Sequence, residues 1–301
     1  MARTRDVVIG IIIAAAFLMA LAVFAFMVIG MLSQTDELEF TGLSGGEVGI
    51  VEMFGIIDEQ SARPVIRQLD RWAKSGSIKA IIVHIDSPGG VVAPSQELYD
   101  AIIRAKKEKP VVAAMASVAA SGGYYVACAA DRVIANPGTI TGSIGVIFQF
   151  HTLKGLLDKV GVGTETIKSG ELKDVGSYAR PMTEKEQQML QAVVSNTYEQ
   201  FVEVVAAGRQ KEKEEIYPLA DGSIFTGLQA YNLGLVDTLG GLQQAIEVAA
   251  ELADIQGEPN VVRPYKREKI SLFDLMGQMA GKVNGQIDQA FSGPQLLYLY
   301  Q

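Results

Sequence analysis

At 301 residues, 49% of them hydrophobic, the chain has material for one large globular domain with appendages. A formal net charge of −8 without a basic cluster excludes nucleic acid as an expected partner. One cysteine, Cys128, excludes an internal disulfide framework and reads as core packing, and with no cluster of histidines or cysteines neither metal nor cofactor is expected.

The first element is an uncharged apolar stretch, Val7–Leu32. As a helix it measures about 39 Å, against a hydrocarbon core of about 30 Å, so it can span a bilayer with tilt. The apolar part of a cleaved signal peptide runs only about 7 to 15 residues, so a retained anchor is expected. Arg3 and Arg5 precede the span, in residues 1–6, and Asp36, Glu37 and Glu39 follow it. That asymmetry predicts a single-pass plasma (inner) membrane protein with a cytoplasmic N-terminus and an extracytoplasmic body. A polar linker, 33–47, leads to a folded domain over 48–260 and a tail over 261–301.

Within the domain, Val48–Ile57 reads as a strand, Arg63–Lys74 as a helix, Ala80–Ile85 as a buried strand and Pro94–Lys107 as a helix with proline at its start. Val111–Met115 is a further buried strand and Gly122–Ala130 a short helix, and the alternation continues through Ile167. Thr183-x-x-Glu186 is a capping box opening a helix to about Ala207, and Gly241–Ile255 is another helix. The pattern predicts an α/β fold with largely parallel strands. In the tail, Ile270, Leu272, Phe273, Leu275, Met276 and Met279 follow the basic run Lys266–Lys269 and read as an assembly helix or, alternatively, a membrane-surface helix. The closing QLLYLYQ is uncharged and strand-compatible, and reads as a flexible end or as a segment for an extended-peptide groove.

Two runs carry chemistry. Ser87-Pro88-Gly89-Gly90 is a turn whose glycine amides can closely approach a substrate carbonyl. Ala116–Tyr125 (ASVAASGGYY) leaves Ser121 exposed between a strand and a helix, with glycines immediately after it. A serine at a helix N-terminus has free backbone N–H groups beside it for an oxyanion. This is the logic of a nucleophile elbow, although the Gly-x-Ser-x-Gly string is absent. Taken alone, each run also fits a plain turn or close backbone packing.

Histidine is the usual base for such a serine, but His84 and His151 both read as residues in or beside strands. Lysine is the known variant, and Lys168 and Lys173, in TIKSGELKDVGS, are the informative pair. A lysine base needs its pKa lowered by roughly 3 units, about 4 kcal/mol, mainly through desolvation. Glu171 and Asp174 oppose that shift unless they point away, and a solvated charged loop is the plain alternative.

The order SPGG, ASVAASGGYY, TGSIGV (Thr141–Val146), KSGELKD (Lys168–Asp174) and DGSIFTGLQAYNLGLVDTLGG (Asp221–Gly241) resembles the short, single-domain form of signal peptide peptidase A. The resemblance spans roughly Val48 to Asp254. It implies the Clp protease and crotonase spiral of ββα units, a fold that assembles into rings. It further implies Ser121 as nucleophile, Lys173 as general base and Ser143 as the hydroxyl orienting the lysine. Gly90, with Gly89, and the amide of Gly122 would form the oxyanion hole. Lys168 matches a lysine outside the dyad, a surface or substrate-side charge. Asp86 stands where the family carries asparagine, which touches local hydrogen bonding and not the glycine amides.

The function expected is a membrane-anchored serine endopeptidase that degrades apolar peptides, foremost remnant signal peptides, through an acyl-enzyme. The alternatives are a catalytically silent membrane scaffold and a crotonase-type acyl-CoA enzyme, for which no basic nucleotide pocket is legible.

Overall fold

The computed structural model describes residues 47–264 and 296–299, with Phe17 and Met19. Among them no helix is long and apolar enough to cross a membrane. The anchor expected over Val7–Leu32, apart from those two helical positions, the linker up to residue 46 and the stripe Ile270–Met279 lie outside the described residues.

The strands are β1 (Val48–Phe54), β2 (Ala80–Ser87), β3 (Gly89–Val91), β4 (Val111–Ala120), β5 (Arg132–Ala135), β6 (Ile140–Gly142), β7 (Ile147–Phe148), β8 (Ile224–Thr226), β9 (Thr238–Leu239), β10 (Val261–Val262) and β11 (Leu296–Leu299). The helices are α1 (Glu59–Lys74), α2 (Val92–Lys106), α3 (Gly122–Ala127), α4 (Lys154–Val160), α5 (Glu184–Arg209), α6 (Lys213–Ile216), α7 (Gly227–Asn232) and α8 (Leu242–Leu252).

The main sheet runs β10-β1-β2-β4-β5-β9, all parallel, and β6 extends the C-terminal part of β4 with β8 antiparallel beyond it. The strands are continuous apolar runs because both faces are covered. Ile81, Val83 and Ile85 of β2 and Val111, Ala113 and Met115 of β4 pack under α1, α2, α3 and α5. The alternate residues Ala80, Ile82, Val112 and Ala114 pack under Ala245 and Ala249 of α8. This period of two is the mixed α/β architecture the sequence predicts.

Element ends differ from the sequence expectation for local reasons. β1 stops at Phe54 because Gly55, at φ 79°, turns the chain. α1 begins four residues before Arg63, where the Asp58 carboxylate accepts from the Ser61 N–H at 2.8 Å and the Ser61 hydroxyl accepts from the Asp58 N–H at 2.9 Å. α2 starts at Val92, two residues ahead of Pro94. α5 opens as expected, with Thr183 and Glu186 exchanging capping hydrogen bonds.

The strand and helix alternation expected through Ile167 ends at β7. From Gln149 to Met182 the described structure holds only α4 and a single 3-10 turn, Glu171–Asp174. No residue of α4 is buried and Ile167 is 98% exposed, so among the described residues no apolar layer covers this arm. The closing residues also depart from a flexible end: β11 forms the centre of a second sheet, β3-β11-β7.

Candidate active site

β4 runs on past Met115 to Ala120, and α3 begins at Gly122. Ser121 between them has φ 52° and ψ −117°, a conformation sterically unfavourable for an L-residue and worth on the order of 1–3 kcal/mol of strain. Pairing with β6 holds it there: Ala120 lies opposite Gly142, and the Ser121 N–H donates to the Gly142 carbonyl at 2.8 Å. The Ser121 carbonyl accepts from Tyr125 N–H at 2.8 Å. Gly123 completes the elbow, because a Cβ there would sit 2.9 Å from the Ser87 carbonyl oxygen.

The same packing corrects the expectation that Ser121 is exposed. It is 1% exposed, since β6 is laid along the last residues of β4. Its Oγ is buried without a hydrogen-bond partner in the single chain, which costs about 1–3 kcal/mol. A strained backbone and an unsatisfied hydroxyl at one residue are the marks of a group kept for chemistry. α3 spans only six residues, so the dipole expected at its start is small, and the donor that matters is the Gly122 amide in its first turn.

The Ser-Pro-Gly-Gly run lies against this elbow. Ser87 pairs with Ala119 across a register shift in β2, and β3 packs beside α3. Asp86 accepts from the Val118 N–H at 3.0 Å, a bond that an asparagine carbonyl would make equally. The two glycines are not equivalent. Gly89, at φ 105°, donates its amide to the Ser87 hydroxyl at 3.1 Å, and its carbonyl accepts from Ile57. The Val91 N–H donates to the Ile57 carbonyl, so strand alternation turns the Gly90 amide the other way, toward β11. A Cβ on Gly90 would fall 2.0 Å from the Ile57 carbonyl oxygen, which fixes glycine at that position.

Ser143 follows Gly142, at φ 50°, is buried, and donates its N–H to the Ser223 carbonyl at 2.7 Å. It therefore sits one residue from the carbonyl that fixes Ser121. The structure brings together Ser121, Gly122, Ser143 and the Gly89-Gly90 pair.

Lys173 is not among them. It lies on the 3-10 turn of the arm, exposed, and makes no ion pair among the described residues. Its acidic neighbours are committed elsewhere: Glu171 pairs with Lys185, and Asp174 with Arg180 and Lys168. Arg180 in turn binds Glu186, the buried capping residue of α5. Hydrogen bonds from Arg180 and Lys168 hold the Asp174 carboxyl well below the usual carboxylate range, and those from Arg180 and Thr183 hold Glu186 at about 2. A depressed carboxylate pKa stabilises above the ordinary carboxylate value, so this network is intact near pH 4.5 and is lost as pH falls toward about 2. Lys168 also donates to the Glu171 carbonyl at 2.8 Å, which makes it a brace inside the loop.

The arm is also joined to β7. Phe150 stacks on Phe148 at 4.9 Å, Gly176, at φ 77°, leaves no room for a Cβ against the Phe150 ring, and Leu153 N–H donates to the Tyr178 carbonyl at 2.7 Å. No sequence signal marks Arg180 or its link to Asp174. The capping motif made Glu186 legible, but no local rule joins it to an arginine on an irregular segment.

Neither histidine reaches the elbow. His151 is exposed. His84, half-buried in β2 with its pKa lowered by burial, meets Phe54 edge-on at 5.1 Å and lines a cleft with Met115, Ser117, Asn136 and Thr139 that does not include Ser121.

The pattern of peptidase family S49 matches residues 103–256, and that of the Clp protease family matches residues 47–139. A protein of Synechocystis sp. named as a protease is 43% identical over 69% of this chain and 75% of its own length. The chloroplastic serine protease SPPA of Arabidopsis thaliana is 33% identical over 84% of this chain and 39% of its own. A protein of Enterococcus faecium named as a signal peptide peptidase SppA is 38% identical over 71% of this chain and 65% of its own.

Proposed function

Because the chain belongs to peptidase family S49, as a serine peptidase of the SppA and protease 4 type, we propose that Ser121 is its nucleophile and Lys173 its general base. The observation that carries the assignment is the Ser121 hydroxyl: buried, unpartnered and on a strained turn, beside an amide with no helical acceptor. Neutral Lys173 takes the Oγ proton as Oγ adds to the substrate carbonyl. The oxyanion is held by the amides of Gly122, in the first turn of α3, and of Gly90, which is turned away from Ile57. Gly89, whose amide is taken by Ser87, shapes the turn. The tetrahedral adduct collapses as the lysine ammonium returns its proton to the leaving amine, and water repeats the sequence on the acyl-enzyme with lysine again as base. Ser143 accepts from the amine and orients it.

In the single chain Ser121 is buried while Lys173 is exposed on an arm carrying Leu153, Leu156, Val160, Val162 and Ile167 to the surface. A lysine base needs a dry setting. These features support a dyad completed between neighbouring copies in a ring, where the apolar arm is covered and its lysine meets the next subunit's serine. The substrate class is apolar peptide, foremost released signal peptides, paired as an added strand beside Gly90.

Fluorophosphonate labelling with peptide-level mapping tests the nucleophile. The adduct is expected on Ser121, and labelling at any other serine with Ser121 unmodified overturns the assignment.

The apolar Val7–Leu32 and its charged flanks support a membrane anchor with the peptidase domain outside the cytoplasm. Protease added to cells stripped of any outer envelope is expected to cut after residue 33 while an N-terminal tag survives. The reverse accessibility would refute the orientation.

A further inference from the structure

The 3-10 turn Glu171–Asp174 carries Lys173 into solvent, and no residue of the turn is buried. Its backbone bonds are few: the Lys173 N–H donates to the Gly170 carbonyl at 3.1 Å and the Val175 N–H to the Leu172 carbonyl at 3.3 Å. A single turn of this kind is weakly held by its own bonds. What ties it down is Asp174, the residue directly after the lysine.

Arg180 grips the Asp174 carboxylate with a fork, Nε donating to Oδ2 at 3.0 Å and Nη2 to Oδ1 at 2.8 Å. Nη1 donates to the Pro181 carbonyl at 3.0 Å and to Glu186 Oε2 at 2.9 Å, and Nη2 also reaches Glu186 Oε1. Every N–H of the guanidinium therefore has an acceptor. Glu186 is 1% exposed and accepts from the Thr183 N–H at 2.8 Å, so the far end of this clamp is the cap of α5. Paired bonds and a buried anchor separate it from an ordinary surface ion pair. Glu171 and Lys185 join the same turn to the same helix, but both side chains are more than half exposed and the tie adds little. The Lys173 amine enters no ion pair among the described residues, so the clamp holds the lysine's backbone and leaves its amine uncommitted.

We propose that Arg180 is a positioning residue for the reaction: by clamping Asp174 to the cap of α5 it fixes the direction in which Lys173 leaves the arm, and with it the approach of the amine to the serine. The inference rests on the reading of Lys173 as general base given above. A base works only within about 3.2 Å of the proton it takes. A flexible four-carbon side chain on an unfixed turn seldom meets that condition, and a misplacement of about 1 Å costs on the order of 10²-fold in rate. Lysine at position 180 would keep the charge but not the fork, and could not grip both carboxylates by paired bonds.

The test uses Arg180→Ala and Arg180→Lys in the full chain, with Lys185→Ala as the control for an exposed tie. In Arg180→Ala, kcat for a short apolar peptide is expected to fall about 10²-fold with KM within about threefold of the parent's. Arg180→Lys is expected to stay at least about tenfold below the parent, and Lys185→Ala within about twofold of it. Guanidinium ion, added far below denaturing concentration, is expected to restore part of kcat to Arg180→Ala and nothing to Lys173→Ala. Amide exchange at Lys173 and Val175 is expected to quicken at least about tenfold in Arg180→Ala, with exchange at Phe201 and Val202 inside α5 unchanged. In a Lys173→Ala background, Arg180→Ala is expected to alter the remaining rate of fluorophosphonate attachment to Ser121 by less than about twofold, because the group it positions is gone.

Unchanged exchange at Lys173 and Val175 would refute the clamp. Quickened exchange with unaltered kcat, a loss carried by KM alone, or an equal loss in the Lys173→Ala background would refute the positioning of a base. Should Arg180→Ala fail to fold, Asp174→Asn leaves Glu186 its arginine and is expected to show the same kcat loss at about tenfold, with an unaltered kcat again refuting the proposal. If exchange responds to Arg180→Ala while Lys173→Ala keeps its turnover, the base reading fails and takes the positioning role with it, leaving the clamp a structural tie.

Discussion

Ser121→Ala is expected to lower peptide hydrolysis by about 10⁴-fold or more while leaving the folded domain intact or slightly more stable. On the proposed mechanism activity falls because Oγ forms the covalent bond and no neighbouring hydroxyl shares its position on the elbow. Stability does not fall because that oxygen is buried without a partner, and removing an unsatisfied group relieves a cost of about 1–3 kcal/mol. A melting temperature equal to or above the parent's, with hydrolysis gone, is the expected pair of results. Lys173→Ala is expected to match the loss of activity. Lys173→Arg separates a base from a mere positive charge, since arginine keeps the charge and cannot give up its proton in a protein. If Lys173→Arg retains substantial turnover, lysine acts electrostatically and another group is the base. Lys168→Ala is expected to keep activity within about tenfold, because Asp174 retains Arg180 when the loop brace is lost. Near-normal turnover in Lys173→Ala together with loss in His84→Ala or His151→Ala would sink the lysine assignment.

The sheet was the most legible part of the chain. Ala80–Ile85 and Val111–Met115 are apolar without interruption, and only strands covered on both faces have use for that pattern. Thr183 and Glu186 announced α5 by a motif whose bonds are local. Ser121 stood out by its neighbours alone, because small residues on both sides and two glycines after it mark a backbone that must bend sharply. What sequence could not supply were consequences of pairing over distance. The burial of Ser121 follows from β6 lying along β4, and Ala119 and Thr141 carry no local signal that they will be opposite each other. The Asp58 and Ser61 cap is local and readable in principle, yet the expected helix started only at Arg63. The arm misled for a different reason. Strand and helix patterns were expected to alternate up to Ile167, yet after β7 the described arm forms only α4 and a 3-10 turn, and an apolar run without a strand partner does not make a sheet. Lys173 is a like case: its place in KSGELKD is legible from the sequence, whereas its exposure in the described chain is not.

The proposal of a dyad shared between subunits is tested most sharply by mixing variants. Subunits carrying Ser121→Ala and subunits carrying Lys173→Ala are each expected to be inactive alone and to regain part of the parent activity when mixed under exchange. In a mixed ring some interfaces join an intact serine to an intact lysine. If neighbours occupy a large equimolar ring at random, about a quarter of the interfaces qualify, which bounds the recovery at roughly 25% of the parent rate. Within one chain the same mixture could recover nothing, since every chain lacks one partner. The outcome does not depend on how well either variant binds peptide, only on which chain supplies each group. Monomers, isolated by a charge placed on the exposed apolar arm at Leu156 or Val160, are expected to fold and to be inactive. Two results would overturn the shared dyad: hydrolysis by a verified monomer at the assembled enzyme's rate, or no recovery in a mixture whose subunit exchange has been demonstrated. Either would require the arm to fold back within its own chain until Lys173 reaches Ser121. That movement would have to break the Leu153 to Tyr178 hydrogen bond or the packing of Gly176 on Phe150 that now hold the arm to β7.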